Sequence, residues 1–361
     1  MSDRQDQIEE FLKEAGWHRA SRDALTADAS TRTYQRLARE GKNALLMNAP
    51  LSAEQPCCPP EATPEERRSL GYNAEARLAG PNLHAFVETA RLLREAGLSA
   101  PEIYAFEAGT GLALIEDLGD NLYARYITSS EQEHKLYASA VEALAHLHQS
   151  VPGWPVSPNY TLQDYDDVAL LAETRLLTQW YLPHRDGLTL TDQMVQDYEG
   201  LWTELLKNLS SPAVFVMRDY HAENLLWLDN RDGIRRTGVI DFQDGLIGHR
   251  AYDLVSLLED ARRDVPLDLV QEMRGMYVKR MKAFDNNFSQ DAFESDYSIL
   301  AAQRNAKILG IFARLVKRDS KPKYDGLLPR VEAHFRRDLA RPGLERLRDW
   351  AKTSLPTLEI E

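Results

Sequence analysis

The sequence has 361 residues, of which 43% are hydrophobic and 27% are charged, and its formal net charge is −13. This length and composition predict a globular chain with a sizeable core and two domains or lobes. The negative charge argues against a nucleic-acid or anionic-membrane partner, because both bind basic surfaces.

The chain begins with a polar stretch, and no run of about 18 apolar residues comes after it, so we expect neither a signal peptide nor a membrane span. Cys57 and Cys58 are adjacent, as is typical of free thiols in a reducing compartment, which favours a cytoplasmic location. Residues 5–15 carry apolar side chains at helical spacing and predict a helix that ends at Gly16.

A β-rich region comes next. Residues 33–39 and 44–47 predict two strands joined by a turn at 40–43, and the proline-rich residues 50–81 predict an insertion with a short helix near 65–79. A helix at 83–96, strands at 103–106 and 112–115, and a break at 116–120 come after the insertion. The rest predicts helices at 131–149, 165–182, 190–208, 250–263, 266–284, 289–318 and 326–350, with strands around 213–241.

This order predicts an α+β, two-lobed, protein-kinase-like fold with a small β-rich N-lobe and a large helical C-lobe. We expect residues 1–117, with the insertion at 50–81, to form the nucleotide-binding lobe. Residues 118–361 would then carry the catalytic loop and the substrate-binding helices.

Three polar residues near the second group of strands indicate a reaction. Asp219 precedes Asn224 by five positions between two apolar runs, and Asp241 ends the strand Gly238-Val239-Ile240. Asp, Asn and a strand-terminal Asp at these positions are typical of a kinase-type phosphoryl-transfer site. Asn224 and Asp241 offer the oxygen ligands that Mg²⁺ prefers, and Asp219 would accept the proton of the substrate hydroxyl.

Simpler interpretations exist for each of these residues. An Asp and an Asn five apart are common in solvated loops, and only the flanking strands and Asp241 favour the kinase interpretation. We expect His221 to be a structural residue of the loop, Asp244 to assist Asp241 or to cap the next segment of the chain, and Asp253 to brace the catalytic loop.

The chain resembles the aminoglycoside phosphotransferase and choline kinase superfamily in the motifs Asp219-x₄-Asn224, Val239-Ile240-Asp241-Phe242 and Ala251-Tyr252-Asp253-Leu254. Residues 28–36, 46–50, 114–120 and 307–331 look like those of the anomeric sugar kinases of peptidoglycan recycling. The resemblance implies ATP and Mg²⁺ as cofactors. It also implies transfer to the C1 hydroxyl of N-acetylmuramate or N-acetylglucosamine, an acceptor that is a small molecule.

The nucleotide site departs from the protein-kinase pattern, because Met47 stands where the second hairpin strand of those enzymes carries a lysine. We expect Arg32 or Arg36 to supply the missing cation, although the face that they share with Tyr34 could also be solvated. Glu88 could brace that cation or be a solvated acid. The predicted nucleotide-binding residues are Ser30, Thr31, Arg32, Arg36, Met47, Glu116, Asp117, Leu118 and Asn224.

Two helices offer candidates for the sugar pocket. An acylated sugar with a carboxylate needs hydrogen-bond donors and cations, and we predict Glu173, Trp180, Arg304 and Arg314 as substrate residues. Arg304, Lys307 and Arg314 could equally form a solvated or salt-bridged stripe, and Trp180 could be a core residue.

Other functions stay open at this point. An aminoglycoside, choline or homoserine kinase would carry the same acid set, although the basic stripe disfavours a polycationic antibiotic. A nucleotide-binding pseudokinase would explain Met47, but it would be expected to have lost one of the acids.

Overall fold

A computed structural model of the chain describes residues 2–25, 32–51, 58–149, 156–210 and 214–360. Two compact units are present, Met1–Gln163 with Glu223–Gly245, and Asp164–Ala222 with Leu246–Glu361. The division between Ala222 and Glu223 falls inside the Asp219–Asn224 motif. The functional lobe boundary expected after Asp117 stays a prediction. No helix of the described residues is both long and apolar enough to cross a membrane.

The strands, in chain order, are β1 Ser21–Ala24, β2 Thr33–Arg39, β3 Lys42–Asn48, β4 Ile103–Glu107, β5 Leu112–Glu116, β6 Val156–Ser157, β7 Tyr160–Thr161, β8 Val214–Val216, β9 Leu225–Trp227, β10 Thr237–Val239 and β11 Leu246–Gly248. The first five form one antiparallel sheet in the order β1-β2-β3-β5-β4. The predicted hairpin is confirmed, and its turn is Glu40-Gly41, where both residues are left-handed with φ of 50° and 75°.

The helices are α1 Ser2–Glu14, α2 Pro64–Leu70, α3 Tyr72–Glu75, α4 Leu83–Glu95, α5 Tyr123–Tyr126, α6 Ser130–Gln149, α7 Asp167–Leu176, α8 Leu182–Arg185, α9 Asp192–Leu206, α10 Tyr252–Leu258, α11 Leu267–Phe284, α12 Gln290–Lys317, α13 Leu328–Leu339 and α14 Glu345–Ser354. A π-helical turn, Leu177–Tyr181, joins α7 to α8, and short 3₁₀ helices lie at Gly233–Arg236, Pro322–Leu327 and Pro356–Leu358.

In the first unit, α1 covers one face of the sheet. Ile8, Phe11 and Leu12 are spaced three and four residues apart, so they lie on one side of the helix. They pack against the buried side chains Leu37, Ala44, Leu46, Leu112 and Leu114 of β2, β3 and β5. Because strand side chains alternate, Tyr34, Arg36 and Met47 belong to the opposite face of the sheet.

Within the insertion, the helix expected near 65–79 is two short helices. Thr63 caps α2 with a capping box, and Gly71, with φ of 96°, separates α2 from α3. Arg67 is buried and its guanidinium donates to the carbonyl oxygens of Ala74 and Glu75, which holds α2 against α3. Residues 52–57 of the insertion lie outside the described residues.

In the second unit, α12 is the central helix, and every residue from Ile299 to Gly310 is buried. The predicted helix at 326–350 is wrong in one respect, because Pro342 and Gly343 interrupt it between α13 and α14. Gly343 adopts φ of 88°, which ends a helix. The helix predicted at 165–182 is likewise not uniform, since its last part is the π-helical turn.

Gly310 permits the close approach of α12 to the start of this turn. A Cβ atom at position 310 would lie 2.2 Å from the carbonyl carbon of Leu176. We therefore expect Gly310→Ala to lower the free energy of unfolding by about 1–3 kcal/mol, because rigid backbone must shift. Gly275 lies within α11, where an added Cβ meets nothing within 4 Å. Gly275→Ala should be neutral or stabilising in the same urea titration, and equal destabilisation by both changes would contradict the packing argument.

Candidate active site

The two predicted metal ligands lie at the same end of one pair of strands in the first unit. β9 pairs antiparallel with β10, with Leu225 opposite Val239, so Asn224 and Asp241 flank the pair. The Ile240 amide donates to the Asn224 carbonyl oxygen at 3.1 Å. The side-chain amide nitrogen of Asn224 lies 3.5 Å from a carboxylate oxygen of Asp241.

Asp241 is held in an unusual backbone conformation, with φ of 60°. Non-glycine residues seldom adopt this conformation, and strain of this kind is concentrated at functional sites. Gln243 donates from Nε2 to Asp241 Oδ1 at 2.9 Å. The next residue, Phe242, is buried and stacks on Phe86 of α4 with ring centroids 5.1 Å apart. These contacts fix the direction of the Asp241 carboxylate.

This donor set fits Mg²⁺. Mg²⁺ is usually bound by one or two carboxylates together with substrate phosphates, and Asn224 and Asp241 supply one amide and one carboxylate. Among the described residues, no group of three or more His, Cys, Asp or Glu side chains could hold a metal ion. The Oδ1 atom of Asp244 accepts a hydrogen bond from the Ala79 amide at 2.6 Å, at the end of the insertion.

The candidate phosphate-binding residues lie in the same unit. Met47 is fully buried on β3 opposite Tyr34, whose hydroxyl lies 3.5 Å from its sulfur. Burial raises the pKa of Tyr34 to about 12, and the charge of Arg32 opposes this rise while that of Asp241 adds to it. Arg32 and Asp241 are therefore both close to the Tyr34 hydroxyl. Arg32 is buried and donates to the Gly80 carbonyl oxygen at 3.3 Å.

Arg36 makes a different set of contacts. Its guanidinium binds Asp117 at 2.6 Å and Asp120 at 2.8 Å, and hydrogen bonds to these carboxylates raise its pKa. Glu116 pairs with Arg231, and its amide donates to the Glu102 carbonyl oxygen at 2.8 Å. The acids predicted to line the adenine pocket are thus engaged in ion pairs, Asp117 with Arg36 and Glu116 with Arg231.

The other nucleotide candidates are less constrained. Leu118 is half-buried. Ser30 and Thr31, with the rest of the expected phosphate loop, lie outside the described residues. Glu88 pairs with Arg91 of the same helix at 2.8 Å, which accounts for its charge without a nucleotide.

In the second unit, Asp219 comes after a strained residue. Arg218 is buried with φ of 69°, and it turns the chain after β8. The buried Asp253 carboxylate accepts hydrogen bonds from the amides of Met217 and Arg218 at 2.6 and 2.9 Å. The prediction that Asp253 braces the catalytic loop is confirmed. Asp219 itself is half-buried.

Positive charge surrounds the Asp219 carboxylate. Burial alone would raise its pKa, but the charges of Lys307, Arg304 and Arg218 outweigh burial and lower the pKa below its ordinary value. The carboxylate is therefore ionised at neutral pH, as a proton acceptor must be. His221 is a poor alternative base, because burial lowers its pKa to about 4 and Arg262 lies 3.3 Å from its Nε2.

Lys307 and Arg218 are joined through Glu173, one of the predicted substrate residues. Glu173 is fully buried, binds the Arg218 guanidinium, and lies 3.0 Å from Lys307 Nζ. Hydroxyl and amide groups of Tyr165 and Gln303 also donate to it. This Glu173 network, made of Glu173, Lys307, Arg218, Tyr165 and Gln303, leaves no exposed surface on Glu173 for a ligand, so a substrate contact by Glu173 stays an unsupported prediction.

The remaining substrate candidates differ in burial. Arg304 is buried on α12, whereas Arg314 near the end of this helix is half-buried. Trp180 is half-buried in the π-helical turn, a type of element that is frequent at functional sites. Arg304 and Lys307 are buried, so the solvated form of the stripe is wrong for both, whereas the salt-bridged form is confirmed for Lys307 by its ion pair with Glu173.

Sequence reasoning did not single out Gln243, and it named Lys307 only as a member of the basic stripe. Gln243 lies two positions after Asp241, which is a signal that could have been used. Lys307 became significant only when its contact with Glu173, from a distant part of the chain, was known.

Comparisons with known proteins show which sequences and folds the chain resembles. The model of the phosphotransferase enzyme family matches residues 23–284. An N-acetylmuramate/N-acetylglucosamine kinase of Caulobacter vibrioides is 40% identical over 351 residues, which cover 96% of this chain and 95% of that enzyme. A kinase of the same name from Pseudomonas putida is 29% identical over 93% of this chain and 89% of its own.

Solved structures show the same fold at low identity. Choline kinase LicA of Streptococcus pneumoniae is similar with a TM-score of 0.56 and 12% identity, covering 92% of this chain and 98% of that one. The ADP-bound aminoglycoside phosphotransferase APH(2'')-Ib has a TM-score of 0.52 and 16% identity, with coverage of 92% and 98%. The predicted α+β, kinase-like fold is confirmed.

Proposed function

The chain belongs to the phosphotransferase enzyme family, and on this premise we propose that it transfers a phosphoryl group from ATP to the anomeric hydroxyl of N-acetylmuramate or N-acetylglucosamine. The observation that carries the proposal is the similarity to the Caulobacter kinase over nearly the whole length of both chains. Asp219, Asn224 and Asp241 are all present, as the reaction requires.

Asp219 accepts the proton of the sugar hydroxyl. An anomeric hydroxyl is more acidic than an ordinary alcohol, so a carboxylate whose pKa lies below its usual range is basic enough to align it and take its proton. The lowered pKa of Asp219 keeps this acceptor ionised. Asp253 and the Glu173 network hold the loop that presents Asp219.

Asn224 and Asp241 hold Mg²⁺, which neutralises charge on the ATP phosphates when bound. Arg32 supplies the positive charge for the ATP phosphates that a lysine at the position of Met47 would otherwise provide. Glu116, Asp117 and Leu118 line the adenine pocket through their main chain. Trp180, Arg304 and Arg314 contact the sugar.

The role of Arg32 leads to a quantitative prediction. Arg32→Ala should raise the KM for ATP about tenfold to a hundredfold, because a charge-assisted contact to phosphate is lost. Lys42, an exposed residue of β3, gives the matched control Lys42→Ala, which should leave KM unchanged. Steady-state kinetics at saturating sugar measure KM for ATP in both variants. An equal rise in KM in the two variants would refute the assignment of Arg32 as the phosphate-binding cation.

The reaction places the protein where ATP is available, and we propose a cytoplasmic location. Its partner is a small-molecule sugar, and the net charge of −13 disfavours nucleic acid. A pseudokinase is disfavoured because Asp219, Asn224 and Asp241 are all present, and such a protein would be expected to have lost one of them.

A panel of acceptors tests the function. Purified protein with Mg·ATP should release ADP with N-acetylmuramate and N-acetylglucosamine, and not with choline, homoserine or an aminoglycoside. Phosphorus NMR should place the phosphate on C1 in the α configuration. No sugar-dependent ADP release would refute the function, and phosphate on O6 would refute the anomeric position.

A further inference from the structure

Arg304 differs from the other cations that act on Asp219. Lys307 and Arg218 are both engaged by Glu173. Arg304 is only 3% exposed, and its Nη1 is enclosed and has no hydrogen-bond partner among the residues that the structure describes. A buried guanidinium without such a partner is costly, because its hydration is lost and not replaced.

The neighbours of Arg304 offset only part of this cost. Its charge acts on Asp219, Asp253, His221 and His334. Burial lowers the pKa of each histidine to about 4, so both are neutral at physiological pH. Asp253 already accepts two main-chain hydrogen bonds, and Asp219 is the acceptor of the substrate proton. The site is therefore prepared for an anion that arrives with a ligand.

The proposed substrates differ by one such anion. N-acetylmuramate carries a lactyl carboxylate on the sugar ring that N-acetylglucosamine lacks, and the reacting hydroxyl of that ring must lie against Asp219. The ATP phosphates have their own candidate partners in Arg32, Asn224 and Asp241. The lactyl carboxylate of N-acetylmuramate is thus the anion that remains available to Arg304.

We infer that Arg304 binds the lactyl carboxylate of N-acetylmuramate and determines the preference of the enzyme between its two sugars. The inference rests on the proposed function and adds to it the residue that discriminates. A guanidinium is well suited to this task, because its planar donors match a carboxylate in a bidentate contact.

The experiment compares both sugars in wild type, Arg304→Gln and Arg304→Lys. With N-acetylmuramate, Arg304→Gln should raise KM about tenfold to a hundredfold, and Arg304→Lys should recover part of this loss. With N-acetylglucosamine, the rise in KM should be about tenfold smaller than with N-acetylmuramate, and any fall in kcat should be the same for both sugars, because both reactions lose a charge that lowers the Asp219 pKa. Lys317→Gln, at an exposed position of the same helix, is the control and should change neither sugar.

A binding measurement provides a readout independent of turnover. N-acetylmuramate should raise the melting temperature of the wild type and not that of Arg304→Gln, whose own melting temperature should be at least that of the wild type. An equal rise in KM for both sugars would overturn the inference, because Arg304 would then serve the reacting group that they share. No change with either sugar would overturn it as well. A wild type that phosphorylates neither sugar would be a separate result that refutes the proposed function itself.

Discussion

Replacing Asp219 by asparagine is expected to reduce kcat for sugar phosphorylation by about 10²–10⁴-fold. The change keeps the size of the side chain and removes the charge that accepts the proton. Because the pKa of Asp219 lies below its ordinary value, the wild-type carboxylate is ionised throughout the physiological pH range, and the loss should appear at every pH in that range. Coupled assay of ADP release with N-acetylglucosamine measures it.

The matched control is Asp232→Asn, because the Asp232 side chain is 89% exposed in the first unit. This variant should keep wild-type kcat. ATP should raise the melting temperature of Asp219→Asn as much as that of the wild type, which separates lost chemistry from lost nucleotide binding. Asp219→Asn activity above a tenth of wild type would show that the carboxylate only aligns the hydroxyl.

Replacing Lys307 by methionine should affect both stability and the pH profile. Glu173 would keep Arg218 as a partner and lose Lys307, so the free energy of unfolding should fall by about 3 kcal/mol. Lys307 is also the largest positive influence on Asp219, and its removal should raise the Asp219 pKa. The acidic limb of the kcat/KM profile should then move to higher pH.

The double variant Lys307→Met with Glu173→Gln provides the control for this argument. In the wild type, Lys307, Arg218 and Glu173 together carry one net positive charge, the single variant carries none, and the double variant restores it. The acidic limb should therefore move back toward lower pH in the double variant. If the limb of the single variant coincides with that of the wild type in a profile carried down to the ordinary Asp pKa of 3.8, Lys307 does not set the proton affinity of Asp219.

Elements with a strong local pattern could be predicted from the sequence. α1 was predictable because Ile8, Phe11 and Leu12 fall on one face, and the hairpin was predictable from its Glu40-Gly41 turn. β1 was missed because Ser21-Arg22-Asp23-Ala24 has no apolar alternation. It is an edge strand held by its main-chain pairing with β2.

The candidate site likewise has one part that could be predicted from the sequence and one part that could not. Asp219, Asn224 and Asp241 were named from spacing, because kinase-type chemistry requires those groups in that order. The contacts between Glu173 and Lys307 and the enclosure of Arg304 depend on how distant helices pack, which no spacing records. The π-helical turn could not be predicted for a similar reason. The residue that packs against its start, Gly310, lies on another helix.

The pairing of β9 with β10 determines how the enzyme can vary. Asn224 and Asp241 flank strands whose partners are set by main-chain hydrogen bonds, so the distance between them depends on strand register and not on the connecting segment. Residues added or removed between Trp227 and Thr237 would change a loop and leave the ligand spacing intact. A slip of one residue in either strand would turn alternate side chains to the opposite face and separate the pair. The spacing of the two ligands is therefore more sensitive to the register of β9 and β10 than to the length of that loop.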